Sequence, residues 1–377
     1  MKRNKGMQIF AVLIVMLLLS MAFVPAVSAN KRDESDLISI DQVKMYASFE
    51  LNYFAFNTPG FEEWTDATIG EAILITDFND QPVLYDVPIV KNRQNKGNIK
   101  IWAQKSMGVP IYSISNSPIE STQEANKAIE TISRENNVQI SSVKLIYHDF
   151  PKNSLKVTFI KDNEIEMEKI IDITTGDIIS KDEIKSFESK VKKHNVKERT
   201  DLWKKVDKQI NSNSGALITK GIIDSQSINQ KTLDVPLIGQ TSPVGCSPTS
   251  ASMVLQYHGY DLWENEIADA METDNFKGTY LENIPIGIEK VTNYQVDSWN
   301  DFWWTWSDLT TEINNDHPFL TSTTTHSRVV KGYKADSIFF WEKYMSINDP
   351  APRWVGSTYW ENYYSGVALN IAITLVH

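Results

Sequence analysis

The amino-acid sequence indicates a mixed α+β protein of two domains behind an export signal. The chain has 377 residues, its apolar runs alternate between strand-like and helix-like spacing, and it begins with a basic and then an apolar segment. At roughly 150 residues per domain, this length suggests about two domains. The composition, with 41% hydrophobic and 23% charged residues, excludes collagen, coiled coil and wholesale disorder.

Charge and cysteine content exclude further classes of protein. The chain carries 37 basic and 48 acidic residues, a net charge of −11, whereas a nucleic-acid binder needs a basic surface. The single cysteine, Cys246, excludes an intramolecular disulfide framework and any zinc or iron–sulfur site built from several cysteines. We therefore expect no nucleic-acid partner.

The N-terminus has the features of a signal peptide. Lys2 and Arg3 precede an apolar run over residues 9–24, and the small-residue sequence ending at Ala29 is typical of a cleavage site. We predict that residues 1–29 are removed and that the mature protein is secreted or surface-associated; an uncleaved anchor is the alternative. No later apolar stretch has spanning length, so no membrane span is expected in the mature chain.

Residues 30–180 are predicted to form a small α/β module without catalytic residues, since they contain no cysteine and no cluster of histidines with carboxylates. Short apolar runs bounded by turn residues predict strands, and alanine and isoleucine at helical spacing predict a helix. The predicted elements are a hairpin over residues 71–90, a helix over 121–135, strands over 143–147 and 155–159, and a strand–turn–strand over 170–179.

Two phrases in this module, Ile69-Gly-Glu-Ala-Ile-Leu74 and Ile173-Thr-Thr-Gly-Asp-Ile-Ile179, resemble the pro-segments and PepSY-type modules of secreted peptidases. The resemblance implies an inhibitory or chaperoning role and a module that packs on a catalytic domain. Residues 181–232 are charged and then rich in Asn and Ser, which predicts a helical linker and a region open to cleavage. A second domain is predicted over residues 233–377.

Cys246 is predicted to begin a helix in this second domain. Gly245 and Pro248 indicate a turn into a helix that ends at Gly259. The N-terminal end of a helix favours an anion, so the pKa of the thiol should fall and its nucleophilicity at neutral pH should rise. The alternatives are a buried small hydrophobe or a disulfide with another chain.

A thiolate nucleophile needs a base, and His326 is the best placed of six histidines. It lies between strand-like runs over residues 318–325 and 327–333, and Asp349 ends a third run. The other five histidines are less well placed. His148 lies in the N-terminal half, His194 in the linker and His258 at the far end of the cysteine helix. His317 lies in a loop where a surface role is expected, and His377 ends the sequence. Cysteine on a helix followed by histidine and Asp or Asn on strands is the order of papain-type peptidases.

Four segments carry a more specific resemblance. Residues 235–240 (Val-Pro-Leu-Ile-Gly-Gln), 245–249 (Gly-Cys-Ser-Pro-Thr), 326–333 and 347–350 (Ile-Asn-Asp-Pro) resemble the secreted, papain-fold relatives of the bacteriocin-processing (double-glycine leader) peptidases. The resemblance implies a papain-like α+β domain whose N-terminal helix carries the cysteine and whose antiparallel sheet carries the histidine and the aspartate.

The same resemblance implies a role for each residue. Cys246 is the nucleophile, His326 the general base and then acid, and Asp349 the group that orients His326. Gln240 donates a hydrogen bond to the oxyanion together with the N–H of Cys246. Asn348 is the alternative orienting group, since papain itself uses an asparagine.

The sequence departs from the family pattern beside both reacting groups. Ser247 stands where relatives usually have glycine, and Ser327 and Arg328 replace an apolar or aromatic pair. An aromatic run over residues 299–306 is interpreted as a loop covering the core or as a groove wall that stacks substrate, and a second cluster over 354–364 is equally open. No HExxH or CxxC spacing and no phosphate-binding glycine loop is present, so neither a metal nor a cofactor is expected.

These observations predict a secreted cysteine peptidase that acts on a peptide or protein substrate through a thioester intermediate. One alternative is an amidase or transpeptidase of cell-wall peptides with the same triad. Another is a non-catalytic binding or adhesion module that uses the aromatic clusters on a decayed peptidase fold.

Overall fold

A computed structural model describes residues 36–117, 123–147, 153–162, 164–173, 175–180, 196–220 and 227–377. The predicted signal peptide, His148 and His194 lie outside the described residues. Within the described ranges, no helix combines the length and the apolar character needed to cross a membrane.

The described chain is mixed α+β, as predicted. Its helices are α1 (Ile40–Asn57), α2 (Gln123–Asn136), α3 (Val196–Lys220), α4 (Cys246–Tyr257), α5 (Glu264–Ala270), α6 (Asn283–Val291), α7 (Trp306–Asn314) and α8 (Tyr363–Leu369). Its strands are β1 (Thr68–Ile69), β2 (Ile73–Thr76), β3 (Pro82–Lys91), β4 (Gln94–Trp102), β5 (Ile111–Ser115), β6 (Gln139–Tyr147), β7 (Asn153–Lys161), β8 (Glu164–Asp172), β9 (Ile178–Ile179), β10 (Ile228–Thr232), β11 (Ser298–Asp301), β12 (Phe319–Ser322), β13 (Ser327–Asp336), β14 (Lys343–Asp349), β15 (Ser357–Asn362) and β16 (Ala372–Val376).

The described residues form two compact units. The first contains the described residues within Met1–Leu37, Ile73–Val83 and Ser121–Lys192, and the second contains those within Ile38–Ala72, Leu84–Glu120 and Lys193–His377. The predicted boundaries at residues 180 and 233 do not follow these units, because two segments of the N-terminal third pack with the C-terminal part of the chain. As functional domains, the predicted spans stay a prediction.

The first unit is a small sheet with one helix. Strands β6, β7, β8 and β9 pair antiparallel in chain order, and β2 adds parallel to β6. The amphipathic helix α2 buries Ala125 and Ile129 against the apolar face of these strands, which includes Val157 and Phe159. The helix, the β6 and β7 strands and the turn between β8 and β9 agree with the sequence predictions.

The second unit is built on an antiparallel sheet. Its strands follow the order β11-β16-β12-β13-β14-β15-β5-β4-β3, with β10 on the edge of β13 and β1 on β3. Strand β5 from the N-terminal third pairs with β15 at Ile114 opposite Trp360. Strands β3, β4 and β5 and the C-terminal strands therefore share one hydrogen-bonded sheet.

Helix α1 packs on the same sheet. Tyr53 donates a hydrogen bond to Asp336 Oδ2 at 3.0 Å, and Phe54 contacts Tyr344 edge to face with ring centroids 5.1 Å apart. The buried ammonium of Lys334 lies 4.1 Å and 4.2 Å from the ring centres of Tyr53 and Phe54. Cation–π contacts of this kind are strongest when the cation is desolvated, so they stabilise α1 on β13.

Helix α4 is almost entirely buried. Ala251, Met253, Val254 and Leu255 belong to the apolar core that β12, β13, β14 and β16 also line. Because the helix carries small residues on several sides, its backbone approaches the sheet closely. The core thus fixes the position of the first residue of the helix, Cys246.

Candidate active site

The cysteine lies where helix α4 begins. Cys246 directly follows the N-cap residue Gly245, and Pro248 stands in the first turn. The first N–H groups of a helix have no carbonyl partner within it, and the helix dipole favours an anion there. Cys246 is half-buried and forms no disulfide. This position suits a thiolate that a substrate can still reach.

The loop before the cysteine is held by Glu264, a residue that sequence reasoning missed. Its buried carboxylate accepts hydrogen bonds from the N–H of Thr241, the N–H of Ser242 at 3.0 Å and the hydroxyl of Thr249 at 2.9 Å. A Cβ atom on Gly245 would lie 2.3 Å from Glu264 Oε1. Glycine is therefore required before the cysteine because the carboxylate occupies the space of a side chain.

Hydrogen bonds hold both the backbone and the side-chain amide of Gln240. Its N–H donates to the carbonyl of Pro350 at 2.9 Å, and its own carbonyl accepts from the N–H of Trp354 at 3.0 Å. Its amide Nε2 donates to the carbonyls of Ser242 at 2.8 Å and Pro243 at 3.3 Å. One amide hydrogen is thus well engaged, and the other is held weakly enough to exchange its acceptor.

His326 stands in the tight connection between β12 and β13, where Ser322 pairs with Ser327. The N–H of His326 donates to the hydroxyl of Thr323 at 3.1 Å, and its carbonyl accepts from the N–H of Thr323 at 2.8 Å. These two contacts fix the histidine backbone at the start of β13.

The neighbouring strand β14 brings Asp349 to His326. Strands β13 and β14 pair antiparallel with Val329 opposite Asn348. His326 Nε2 lies 2.7 Å from Asp349 Oδ1, and the two side chains are 1% and 4% exposed. Adjacent residues on a strand point to opposite faces, and the Asn348 amide instead donates to the carbonyl of Val235 at 3.0 Å. Only the aspartate faces the histidine.

The electrostatics of the pair favour a charged imidazole. Burial lowers the pKa of His326, but the Asp349 carboxylate and the sulfur of Cys246 raise it by more, to about 9. Burial raises the pKa of Asp349, but His326, Arg328 and the N–H of Ala351 together hold it below its ordinary value. Because Nε2 faces the carboxylate, Nδ1 is the ring atom left for the thiol.

A second layer of side chains stands behind Asp349. The hydroxyl of Tyr359 donates to Asp349 Oδ2 at 3.1 Å, and the fully buried Arg328 donates to that hydroxyl at 2.9 Å. Arg328 also forms an ion pair with Glu361 and donates to Asn370 Oδ1 at 2.7 Å. The arginine, noted in the sequence only as a departure from the family pattern, is the cation behind the aspartate.

The two serines that depart from the family pattern contact each other. Ser247 Oγ lies 2.9 Å from Ser327 Oγ, which also lies 2.9 Å from Ser322 Oγ. Ser250 Oγ donates to the carbonyl of Ser327 at 3.0 Å. The residue after the cysteine and the residue after the histidine are thus joined directly, and α4 is tied to β13 beside the reacting groups.

The aromatic clusters divide between the two interpretations. Trp304 is buried and contacts Tyr363 edge to face at 5.6 Å between ring centroids, which suits a core role. Trp303 is 90% exposed. Trp354, whose N–H binds the carbonyl of Gln240, is 69% exposed and stands at the rim of the site. An exposed indole at this rim is a surface that a substrate side chain can contact.

Chain order and geometry together define the class. Cys246 on a helix, followed by His326 directly before β13 and Asp349 at the end of the adjacent antiparallel strand β14, is the arrangement of a cysteine-type peptidase, which is a hydrolase. Residues 232–368 match the Peptidase_C39 like family, which confirms the family resemblance predicted from the sequence for this part of the chain. No curated protein matches the chain. The PepSY-type resemblance of the N-terminal module stays a prediction.

Three solved structures are similar to this chain. A double-glycine motif protease from an AMS/PCAT transporter, in complex with its leader peptide, is 17% identical with a TM-score of 0.30, over 38% of this chain and 92% of that chain. A C39-like peptidase from Bacillus anthracis is 16% identical with a TM-score of 0.31, over 40% and 98%. The peptidase domain of Streptococcus ComA, a bifunctional ABC transporter involved in quorum sensing, is 15% identical with a TM-score of 0.29, over 37% and 96%.

Proposed function

We propose that the protein is a secreted cysteine peptidase that hydrolyses peptide bonds with Cys246, His326 and Asp349 as catalytic residues. The observation that carries this proposal is the buried 2.7 Å contact between His326 Nε2 and Asp349 Oδ1, on an imidazole whose pKa the sulfur of Cys246 also helps to raise. A buried ion pair is weak evidence for stability, because desolvation offsets its attraction. Its placement next to a thiol therefore favours a catalytic role.

In the proposed reaction, the Cys246 thiolate attacks the carbonyl carbon of a peptide bond. The imidazolium of His326 gives its proton to the leaving amine, and a thioester to Cys246 remains. His326, now neutral, takes a proton from water, and the resulting hydroxide attacks the thioester. The carboxylic acid product leaves, and thiolate and imidazolium are restored. Asp349 keeps its charge throughout and holds the ring by Nε2.

Two donors suit the developing oxyanion. The N–H of Cys246 lies in the first turn of α4, where the helix dipole stabilises a negative charge. The second donor is the Gln240 amide hydrogen that now makes the 3.3 Å contact with Pro243. We expect that hydrogen bond to exchange to the oxyanion, because a charged acceptor binds a donor more strongly than a carbonyl does.

The substrate side of the proposal rests on the rim of the site. Trp354 and Val355 are 69% and 67% exposed. Trp354 ends the segment whose backbone binds Gln240, and Val355 follows it. Exposed apolar side chains of this kind favour a peptide with a large apolar residue near the bond that is cleaved. Cell-wall peptides are the alternative substrates, and the assay below includes them.

The predicted export and pro-segment extend the proposal. Export is supported by the basic and apolar N-terminal sequence, with cleavage after Ala29. Packing of an N-terminal segment on the peptidase part is supported by the pairing of β5 with β15. An inhibitory or chaperoning role for the module over residues 30–180 rests on its PepSY-type resemblance.

The test compares the cysteine with the serine beside it. We expect Cys246→Ala to abolish cleavage of a panel of unstructured peptides and cell-wall peptides, while Ser247→Ala keeps activity within about tenfold, since a lost neutral hydrogen bond costs about 1 kcal/mol. A peptide bearing a thiol-reactive electrophile should label the parent chain at Cys246 near neutral pH, as mass spectrometry would show. Undiminished hydrolysis by the alanine variant would refute the mechanism. An inert thiol would favour the binding-module alternative.

Gln240→Ala tests the oxyanion assignment separately. Removal of one oxyanion donor lowers kcat by about 10²–10³-fold in comparable sites. We therefore expect a loss of this size with the labelling of Cys246 retained. A loss of less than about threefold, with a normal circular dichroism spectrum, would exclude Gln240 as the donor.

A further inference from the structure

A second group of histidines and a carboxylate lies outside the triad. Glu312 stands in the last turn of α7, His317 follows that helix, and His377 follows β16. His377 Nε2 lies 2.8 Å and His317 Nδ1 lies 3.3 Å from the same atom, Glu312 Oε2. One atom of each residue lies within 4.8 Å of those of the other two. Three potential metal ligands therefore converge.

The backbone holds these side chains in place. The N–H of His317 donates to the carbonyl of Glu312 at 3.0 Å. His377 exchanges two hydrogen bonds of 3.0 Å with Asp297, which continues the pairing of β16 with β11. The ligands thus come from elements that the fold already fixes, which reduces the conformational entropy lost when an ion binds.

The distances fit a small tetrahedral ion. Zinc binds imidazole nitrogen and carboxylate oxygen at about 2.0–2.1 Å, which places the ligand atoms of a tetrahedron about 3.3 Å apart. The 3.3 Å contact on Glu312 Oε2 matches this value, and the 2.8 Å contact is about 0.5 Å shorter, so a small outward movement of His377 would admit the ion. The rings of His317 and His377 lie 4.2 Å apart between centroids. A cation between the three atoms would replace two hydrogen bonds that compete for one oxygen.

We propose that Glu312, His317 and His377 bind one Zn²⁺ ion. Two imidazole nitrogens and one carboxylate favour zinc over calcium or magnesium, which take oxygen ligands. The side chains of His317 and His377 are 32% and 34% exposed, so an ion and a fourth ligand such as water have access.

The ion would act as a clamp on the fold. It joins the end of α7 to the end of β16. Their ligands Glu312 and His377 are 65 positions apart along the chain. Metal that binds only the folded state stabilises it in proportion to the logarithm of the free ion concentration. None of the three ligands contributes to the Cys246 triad, so the proposal does not depend on the proposed peptidase mechanism.

The experiment uses the full-length chain with Cys246→Ala, which prevents zinc from binding to the catalytic sulfur. After removal of metal with a chelator, calorimetric titration with Zn²⁺ should show one ion bound per chain and a higher Tm. Second-sphere changes at zinc sites already cost about 10–100-fold in affinity, so loss of a ligand in His317→Gln or His377→Gln should weaken binding by at least about 100-fold.

Glu272→Gln is the matched control, because Glu272 is a surface carboxylate whose partner is Lys290 at 3.4 Å. Its zinc affinity should equal that of the parent. If the histidine variants fail to fold, histidine modification of the parent chain with diethyl pyrocarbonate, mapped by mass spectrometry, should show zinc-dependent protection of His317 and His377. No bound zinc, equal affinity in the double histidine variant, or no protection would each overturn the proposal.

Discussion

Among the described residues, a histidine meets a carboxylate at two sites, and the sites differ in what surrounds that contact. His326 and Asp349 are 2.7 Å apart and buried, with Tyr359 and Arg328 behind the carboxylate. At the second site, His377 lies 2.8 Å from a half-buried carboxylate that also faces another imidazole. The two contacts, of 2.7 Å and 2.8 Å, are similar in length, and their environments differ.

The difference is the reason for proposing catalysis at one histidine–carboxylate pair and metal binding at the other. At the triad, Asp349 binds one ring nitrogen of His326, and the nearby sulfur of Cys246 helps to raise the pKa of the same ring. At the second site two imidazoles share one oxygen, Glu312 Oε2, with no nucleophile among the three ligands. Lone pairs of two imidazole nitrogens and one carboxylate oxygen converge there, an arrangement that suits the binding of a cation better than proton transfer.

The same substitution in both sites should produce the largest contrast. Loss of a triad member lowers turnover by about 10⁴-fold or more, so His326→Gln should leave a residual rate near background. His317→Gln should change kcat/KM by less than about twofold, since removal of a distant surface side chain rarely affects chemistry. The measurement is steady-state peptide hydrolysis after chelation, because free zinc would also bind the sulfur of Cys246. Comparable losses in both variants would remove the functional distinction between the sites.

The pH profile should report the triad alone. Because His326 must be protonated to serve the leaving amine and its pKa is about 9, kcat/KM should fall as pH rises through that value. In Asp349→Asn the carboxylate charge is lost, so the alkaline limb should move toward the ordinary histidine value near 6.5. An unmoved alkaline limb in that variant would contradict the assignment.

The same shift predicts a stability change. The pKa of His326 is higher in the folded than in the unfolded chain, so its contribution is complete below about pH 6.5 and is lost as pH rises through about 9. The size is on the order of 3 kcal/mol for this shift. Asp349, with a lowered pKa, acts in the opposite direction: its contribution is present above about pH 4 and is lost at lower pH. Urea unfolding of the parent at pH 6 and pH 10 reports the His326 contribution, which should be smaller in Asp349→Asn, and unfolding of the parent at pH 6 and about pH 3 reports the Asp349 contribution.

A smaller effect is expected from the hydroxyl behind the aspartate. Tyr359→Phe removes the hydroxyl that accepts a hydrogen bond from Arg328 and donates one to Asp349. The Asp349 carboxylate therefore loses one hydrogen-bond donor and its connection to the Arg328 guanidinium. We expect kcat to fall by about 10-fold with KM unchanged, as for other outer-shell partners. Tyr364→Phe is the matched control, because its hydroxyl donates only to the carbonyl of Phe340 at 3.1 Å. Equal kcat values in the two variants would deny Tyr359 a positioning role.

The smallest effect is expected from the serine contact between helix α4 and strand β13. Ser247→Ala removes one hydrogen bond to Ser327, whose hydroxyl retains Ser322 as partner. The free energy of unfolding should fall by about 1 kcal/mol, measured as a shift of the urea midpoint at constant slope. A loss above about 3 kcal/mol would mean that the serine contact supports the core and not only the join between α4 and β13.

The sequence allowed the prediction of those site residues whose chemistry is read along the chain. Cys246 after glycine, His326 between two strand-like runs and Asp349 at a strand exit are local patterns, and the sheet places the last two side by side. The choice between Asp349 and Asn348 needed the register, because only the strand pairing determines which residue faces the histidine.

Other features depend on contacts between distant positions. Glu264 acts on a loop more than twenty residues before it, and no local pattern distinguishes it from an exposed acid at the start of a helix. Arg328 was visible only as an unusual residue after the histidine, since its partners Tyr359 and Glu361 come from β15. His377 meets Glu312 through the end of a sheet, so motif spacing could not predict a metal site there.

The N-terminal third was the least predictable part of the fold. Helix α1 has no strong amphipathic pattern because residues such as Tyr46, Phe49 and Phe54 are buried on several of its sides. When a helix is buried on several sides, its hydrophobic pattern does not show which neighbouring element each side packs against. Its place on β13 follows from single contacts, such as Tyr53 with Asp336, that only the structure reveals.

The pairing of β5 with β15 has a consequence for maturation. If a protease cut the chain after residue 180 and the upstream fragment dissociated, β15 would lose its neighbour and present open backbone N–H and C=O groups to solvent. Tyr359 and Glu361, which support the aspartate side of the triad, lie on that strand. We therefore expect any nicked, active form to retain residues 84–120 as a noncovalent subunit, and a form stripped of them to aggregate through the open strand.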